Sequence, residues 1–304
     1  MTRVLVIGAS GQLGFDLMRV MTPLADIELT GTSRSGVDVL GKPTIIFDIT
    51  DKTECAKTIK DLKPNYIFNT AAYHNLDECE ANPQQAFLVN AIAVRWLAEV
   101  ARDTSAKLIH FSTDYVFRGA KICGLDSIPY VETDMPNPVN TYGVSKLAGE
   151  QLLGAVFMEK HILRVSSLFG VNGCNAKGGK NFVENMIRAA MEGKHLRVAS
   201  NQIMSPTYTL HAAKASVDIA FGDHAGVLSL RHLAGGGMCS WYEFALEIFR
   251  QAGITPDIEP VSMSMQDNPI RRPKCSALGS YAGPLIPDWK EGLSCYLREK
   301  GHIQ

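Results

Sequence analysis

The chain has 304 residues, 46% hydrophobic and 20% charged, with a net charge of −1, an ordinary globular composition that suits one large α/β domain, or a large one with a smaller lobe. The near-neutral balance gives no reason to expect nucleic acid or a membrane as partner, and no apolar run approaches the roughly 20 residues that cross a bilayer. Seven scattered cysteines without a Cys-x-x-Cys pair, and histidines without metal spacing, point to reduced thiols and no metal site. A strand that starts at the third residue leaves no signal peptide, so the expected location is the cytoplasm.

Residues 3–7 open the series of elements. Val4-Leu5-Val6-Ile7 is a continuous apolar run, which reads as a parallel strand buried on both faces. It stops at Gly8, and Gly11 and Gly14 follow at three-residue spacing. Gly8 permits a tight turn, Gly11 lets the backbone come close to a pyrophosphate, and Gly14 lets the following helix lie against the strand. Free N–H groups and the dipole at that helix start attract phosphate. A plain strand-to-helix turn is the competing reading of the glycines taken alone.

A helix is expected at 12–21, strands at 27–30 and 44–47, a helix at 53–62, and a strand at 66–69. A long helix follows at 83–102, with Phe87, Leu88, Ala91, Val94, Leu97 and Val100 at helical spacing. A strand at 108–112 ends in Ser112-Thr113-Asp114, so hydroxyls stand at the carboxyl end, where open α/β sheets bind ligands. A helix at 142–152 carries Tyr142 and Lys146, four apart and hence on one face. An ammonium beside a phenol lowers its pKa from about 10 and makes it a usable acid and base. Alone, a Tyr-x-x-x-Lys spacing also arises by chance; its order after the glycine turn and the hydroxyl-bearing strand end gives it weight.

A strand at 162–165 closes this half. Residues 171–180, rich in Gly and Asn, read as a mobile loop, followed by helices at 182–191, 212–220, 241–252 and 289–300, with a Pro-containing loop at 262–273. The alternation predicts an α/β fold: a Rossmann-like doubly wound parallel sheet with a smaller C-terminal substrate lobe. The expected division is 1–169 for the NAD(P)-binding domain and 170–304 mainly for the substrate lobe, with the chain free to cross back.

Together Gly8-x-x-Gly11-x-x-Gly14, Asn69-Thr70-Ala71-Ala72, Ser112-Thr113-Asp114 and Tyr142-x-x-x-Lys146 resemble the extended short-chain dehydrogenase/reductases. Gly11-Gln12-Leu13-Gly14, Phe47-Asp48-Ile49-Thr50, Asp77-Glu78-Cys79-Glu80, Val89-Asn90-Ala91, Arg164, Asn181-Phe182, Pro206-Thr207 and Arg272-Pro273 bring the chain nearer to the dTDP-4-dehydrorhamnose reductase branch of that family. The resemblance implies reduction of the keto group of a nucleotide-linked 4-keto-6-deoxysugar by NAD(P)H. It implies catalytic roles for Thr113, Tyr142 and Lys146: Thr113 orients the carbonyl, Tyr142 protonates the developing alkoxide, and Lys146 holds the nicotinamide ribose.

It further implies cofactor contacts from Gly8, Ser10, Gly11, Gln12, Leu13, Gly14, Ser33, Arg34, Asp48, Ile49, Ala71 and Ala72, besides Tyr142 and Lys146. Asn90 is expected to brace the strand ends. No acid follows the second strand to meet a ribose 2′-hydroxyl, and Arg34 is available for a 2′-phosphate, so NADPH is expected ahead of NADH. Asp114, His74, Asn181 and Arg272 are the substrate-binding candidates, a nucleotide-diphosphate sugar the expected partner, and a homodimer the expected assembly.

Sugar dehydratases of this superfamily carry Asp-Glu after the threonine; here Tyr115 follows Asp114, which favours simple reduction. The chain departs from the reductase pattern at His74, where a threonine is usual, and at Ser166-Ser167-Leu168-Phe169, where a tryptophan is usual. Those departures leave the sugar open. A cofactor-binding regulatory subunit of the same fold and an NAD-dependent epimerase are the alternative functions, since fold alone does not settle activity.

Overall fold

The structure, a computed structural model, describes residues 1–119, 121, 128–156, 160–173, 178–222, 230–263, 270–281 and 283–304. Cys123, Cys174 and the central parts of the two expected loops, 174–177 and 264–269, lie outside the described residues.

Seven parallel strands form the main sheet, in the spatial order Leu230–His232, Lys160–Val165, Lys107–Thr113, Tyr66–Asn69, Thr2–Ile7, Ile27–Ser33, Ile45–Ile46. The chain order reverses at Thr2–Ile7, which pairs with Ile27–Ser33 on one side and Tyr66–Asn69 on the other. The carboxyl ends of those two inner strands, Thr2–Ile7 and Tyr66–Asn69, flank the crevice in which such sheets bind ligands. This is the doubly wound architecture read from the strand–helix alternation.

The apolar runs are continuous because both faces are covered. Val4 and Val6 face a layer with Leu13, Leu17 and Met18 of the helix Gln12–Met21 and Ala213 and Val217 of the helix Thr209–Phe221. Leu5 and Ile7 face the other layer, with Ile59 of Lys52–Leu62, Leu97 of Ala93–Asp103 and Leu153 of Thr141–Val156. A separate core gathers aromatic rings from the second half: Phe169, Tyr208, Phe244, Trp289 and Tyr296 are all buried in it.

Several elements differ from expectation. The expected helix at 83–102 is helical throughout but carries a π turn, Leu88–Ile92, between Pro83–Phe87 and Ala93–Asp103. The apolar spacing continues across the turn, so periodicity does not reveal it. The short helix Leu76–Ala81 was not expected; Asn75 caps it by accepting from the N–H groups of Asp77 and Glu78. The strand Leu230–His232 returns the chain to the main sheet beside Lys160–Val165, and at three residues it is too short for a pattern. At the opposite edge the strand reduces to Ile45–Ile46, whose side chains are 37% and 68% exposed.

The π turn lies hard against the helix Thr141–Val156. A Cβ added at Gly149 would sit 2.1 Å from the Asn90 carbonyl oxygen, which is backbone and has no room to give. Gly149→Ala is therefore expected to cost about 1–3 kcal/mol of stability through overpacking. Urea unfolding of the two proteins measures it, and equal midpoints would show that the two backbones separate freely.

Candidate active site

The glycine turn forms a cradle whose three glycines do separate jobs. Gly8 has φ +82°, and a Cβ there would lie 2.7 Å from Thr70 Oγ1. A Cβ at Gly14 would lie 2.1 Å from the Gly8 carbonyl oxygen, so only glycine lets the helix approach this closely. A Cβ at Gly11 would meet only the Gly8 carbonyl oxygen, at 3.3 Å, and would otherwise project into open space. Gly11 is the N-cap of Gln12–Met21 and no side chain caps that helix, which leaves its first N–H groups available to an anion. Gln12 Oε1 and Thr32 Oγ1 are buried there without hydrogen-bond partners. Asn172 donates to the Ser10 carbonyl oxygen at 2.9 Å and ties the second half of the chain to the cradle. A dinucleotide fits this cradle on the three glycine spacings and the uncapped helix start.

The other expected cofactor residues are distributed less evenly. Leu13 is buried in the core beneath the cradle. Ala71 and Ala72 are partly exposed just beyond the strand Tyr66–Asn69. Arg34 is exposed past the end of Ile27–Ser33. Ser33 is 3% exposed, its hydroxyl shared with Thr44 at 2.7 Å, so it is occupied within the protein. Asp48 Oδ1 accepts from the N–H and hydroxyl of Thr50 at 2.9 and 2.7 Å, and the Ile49 side chain belongs to the core.

Thr113 ends the strand Lys107–Thr113, and its hydroxyl accepts from the Tyr115 N–H at 3.2 Å and donates to Asp114 Oδ1 at 3.0 Å. Tyr142 comes to it from the helix Thr141–Val156. Gly143 makes the approach feasible: a Cβ there would lie 2.2 Å from the Tyr115 carbonyl oxygen. The Tyr115 and Tyr142 rings meet edge to face with centroids 5.8 Å apart. Burial raises the Tyr142 pKa above the phenol range; the Thr113 hydroxyl, close enough to hydrogen-bond it, opposes the rise, and Asp114, Cys79 and Tyr115 add to it.

Lys146, one helical turn on, is 1% exposed. Its Nζ donates to the Phe111 carbonyl oxygen at 2.6 Å and lies 3.3 Å from His110 Nε2. Burial lowers its pKa to about 8, against the opposing charge of Glu150. The expected depression of Tyr142 by Lys146 is absent here. The lysine nitrogen is held on the strand carbonyl, and burial dominates at the phenol.

Asn90 is buried in the π turn and clamps the backbone of Tyr73: Oδ1 accepts from its N–H at 2.9 Å, and Nδ2 donates to its carbonyl at 2.8 Å. Nδ2 also reaches Ser145 Oγ at 3.0 Å, linking this loop to the helix of Tyr142.

The four substrate candidates divide. Arg272 is exposed and reaches the Tyr115 phenol, whose pKa burial nevertheless pushes up to about 12. His74 is exposed on the loop beyond Tyr66–Asn69. Asp114 and Asn181 are 3% and 2% exposed, and both are engaged within the protein. Asn181 caps the helix Phe182–Met191 through the Glu184 N–H and donates to the Gly170 carbonyl and Tyr296 hydroxyl at 2.9 and 3.0 Å. Asp114 accepts from Ser276 at 2.5 Å and Ser166 at 3.1 Å, besides Thr113.

Tyr115, Ser166 and Asn69, which lie within the sequence motifs but were not given these contacts, join Ser276, Asn172 and the buried His110, which were not singled out. A histidine inside the apolar run Leu108-Ile109-His110-Phe111 was the one available signal for the last of these.

A family model described as the RmlD substrate binding domain matches residues 1–300. The Bacillus subtilis spore coat polysaccharide biosynthesis protein SpsK is 34% identical over 304 residues, which cover 99% of this chain and 98% of that one. An Escherichia coli dTDP-4-dehydrorhamnose reductase is 32% identical, with 97% of each chain covered. The crystal structure of the Bacillus anthracis dTDP-4-dehydrorhamnose reductase in complex with NADP superposes with a TM-score of 0.86 at 31% identity, covering 98% of this chain and all of that one.

Burial raises the Asp114 pKa from 3.8 to about 6, with its three hydroxyl donors opposing. Between those values the folded state holds the extra proton. The contribution of Asp114 to stability is therefore greatest at low pH, falls as pH rises from about 4 to about 6, and then levels off. Asp114→Asn is expected to remove this part of the fall, about 2–3 kcal/mol. Urea unfolding between about pH 4 and 7 compares the slopes; identical slopes would place the Asp114 proton balance elsewhere.

Proposed function

This chain belongs to the RmlD substrate binding domain family, and on that premise we propose that it is an NADPH-dependent reductase of a nucleotide-linked 4-keto-6-deoxysugar. One observation carries the reading: a threonine hydroxyl and a half-buried phenol converge at the carboxyl end of a central strand, one helical turn from a buried lysine. The relatives named dTDP-4-dehydrorhamnose reductase, one of them solved with NADP, support the substrate and the cofactor.

The glycine cradle, with its uncapped helix, binds the diphosphate of NADPH. When bound, the reduced nicotinamide supplies the hydride. Thr113 turns its single hydroxyl proton from Asp114 to the keto oxygen and orients it. Tyr142 gives that oxygen its proton, so the ketone becomes a secondary alcohol and the phenolate is left to be reprotonated. Burial suits Tyr142 to this direction, because it keeps the proton on the phenol until a stronger base, the developing alkoxide, appears. Lys146, one helical turn from Tyr142, binds the ribose. Arg272, on the Tyr115 phenol, is available to the anionic substrate. Asp114 and Asn181 act by holding the walls of the site. The proposal includes a cytoplasmic setting and a homodimer.

Tyr142→Phe is expected to lower NADPH oxidation with a keto-sugar nucleotide by about 10²–10⁴-fold, with a far smaller effect on cofactor affinity. Lys146→Met should weaken both. Cofactor binding without turnover on any keto-sugar would instead mark a regulatory subunit. Arg34→Ala is expected to raise the KM for NADPH about tenfold and that for NADH little, since only NADPH carries a 2′-phosphate, a contact worth roughly 1.4 kcal/mol. Equal effects on the two cofactors remove Arg34 from the site.

A further inference from the structure

Behind Lys146 lies a buried imidazole that the proposed reaction does not use. His110 is on the strand Lys107–Thr113 and is 0% exposed. Its Nε2 is 3.3 Å from Lys146 Nζ, and its Nδ1 is 3.1 Å from Asn69 Nδ2. Asn69, also 0% exposed, accepts from the Ala71 N–H through Oδ1 at 3.2 Å. The Ala71 nitrogen lies beside Gly8, where an added Cβ would come within 3.3 Å of it. The groups form one unbroken line from the lysine to the glycine cradle.

Counting protons along the line restricts its states. Burial holds His110 well below the ordinary imidazole pKa, so the ring is neutral and carries one N–H. The Ala71 N–H orients the Asn69 amide, which turns Nδ2 toward the ring. His110 Nδ1 is then the acceptor, and the ring proton sits on Nε2, aimed at Lys146. An ammonium has no lone pair to receive it. In this arrangement Lys146 is an amine that accepts from His110 and donates to the Phe111 carbonyl.

Adding one proton from solvent to Lys146 reverses the line. The ring must offer Nε2 as acceptor and carry its single proton on Nδ1. Asn69 must then present Oδ1 to that proton, and the Ala71 N–H loses its acceptor.

We propose that His110 and Asn69 are positioning residues that couple the charge of Lys146 to the Ala71 N–H beside the glycine cradle. The freed N–H calls for an oxygen acceptor, and a dinucleotide held in the cradle is the class of ligand that brings one. Filling the cradle and charging Lys146 then favour each other, and by linkage the coupling is reciprocal. The inference rests on Lys146 being the lysine of the active site.

Other charges bear on the pair unequally. Glu150, on the helix of Lys146, favours its protonated form and is itself paired with Arg164 at 2.6 Å. Lys146 is the charged group that acts on His110. Asp114 at the strand end and Cys79 on Leu76–Ala81 act on Tyr142. Burial brings Lys146 to about 8, within reach of a titration.

The test is nitrogen-15 NMR of the histidine side chains in the full chain between about pH 6.5 and 9.5, centred on the lysine titration. His110 is expected to stay neutral throughout, with its proton on Nδ1 at the acid end and on Nε2 at the alkaline end. The Ala71 amide resonance is expected to follow the same midpoint, and Lys146→Met to hold the proton on Nε2 at every pH. A single tautomer across the range in the unaltered protein, or a switch that persists in Lys146→Met, overturns the coupling. His110→Gln adds a kinetic readout: its rotatable amide can offer Nζ a carbonyl, so the pH limb set by Lys146 should rise by about one pH unit with the keto-sugar KM unchanged. An unmoved limb also counts against it. Absence of any reductase activity would sink the proposed function alone, because the NMR titration reads the line without turnover.

Discussion

Backbone groups at the carboxyl edge of a parallel sheet run out of strand partners, and buried ones must be satisfied by something else. That constraint organises this molecule. Lys146 takes the Phe111 carbonyl, Asn69 the Ala71 N–H, and Thr113 the Tyr115 N–H. Asn90, in the π turn, satisfies both backbone groups of Tyr73. The side chains that close the sheet edge are thus the ones that surround the crevice, and much of the site is a by-product of finishing the strands.

Two buried carboxylates join distant parts of the chain by the same chemistry. Asp114 gathers hydroxyls from Thr113, Ser166 and Ser276, so the end of a central strand is held to segments far along the chain. Asp16, on the first helix, accepts from Thr209 at 2.5 Å, and its pKa is raised to about 6 by burial against that hydrogen bond. Beside it Arg19 pairs with Glu299, which also accepts from the Tyr208 hydroxyl at 2.6 Å. An ionised carboxylate is costly to bury and gains from each hydroxyl that turns toward it. Such links favour a defined arrangement of the segments over raw stability. Ser166, in the stretch that departs from the reductase pattern, is buried and serves this purpose.

Legibility from sequence followed the range of the interaction. The helices Gln12–Met21, Phe182–Met191 and Trp241–Ala252 and the strand Tyr66–Asn69 have the ends their patterns announce, because caps and periodicity act within a few residues. The π turn at Leu88–Ile92 leaves the apolar stripe intact and was invisible. The strand Leu230–His232 is defined by its neighbour Ile162–Arg164 and hardly by its own residues. Within the site, spacing, order and the family resemblance singled out Tyr142, Lys146 and Thr113. Asp114 and Asn181 stood as substrate candidates. Only the fold shows that both are occupied with serine hydroxyls, a helix start and a tyrosine.

By itself the sequence determined the alternation of buried strands and helices, the glycine cradle, and the helix that pairs a phenol with a lysine, because each depends on bonds and spacings a few residues long. Tertiary structure alone decided where the lysine nitrogen rests, which carboxylates are free, and that a histidine lies behind the site. Those outcomes depend on which distant backbone and hydroxyl groups meet in the interior, where desolvation outweighs the charge pairing that a local motif suggests.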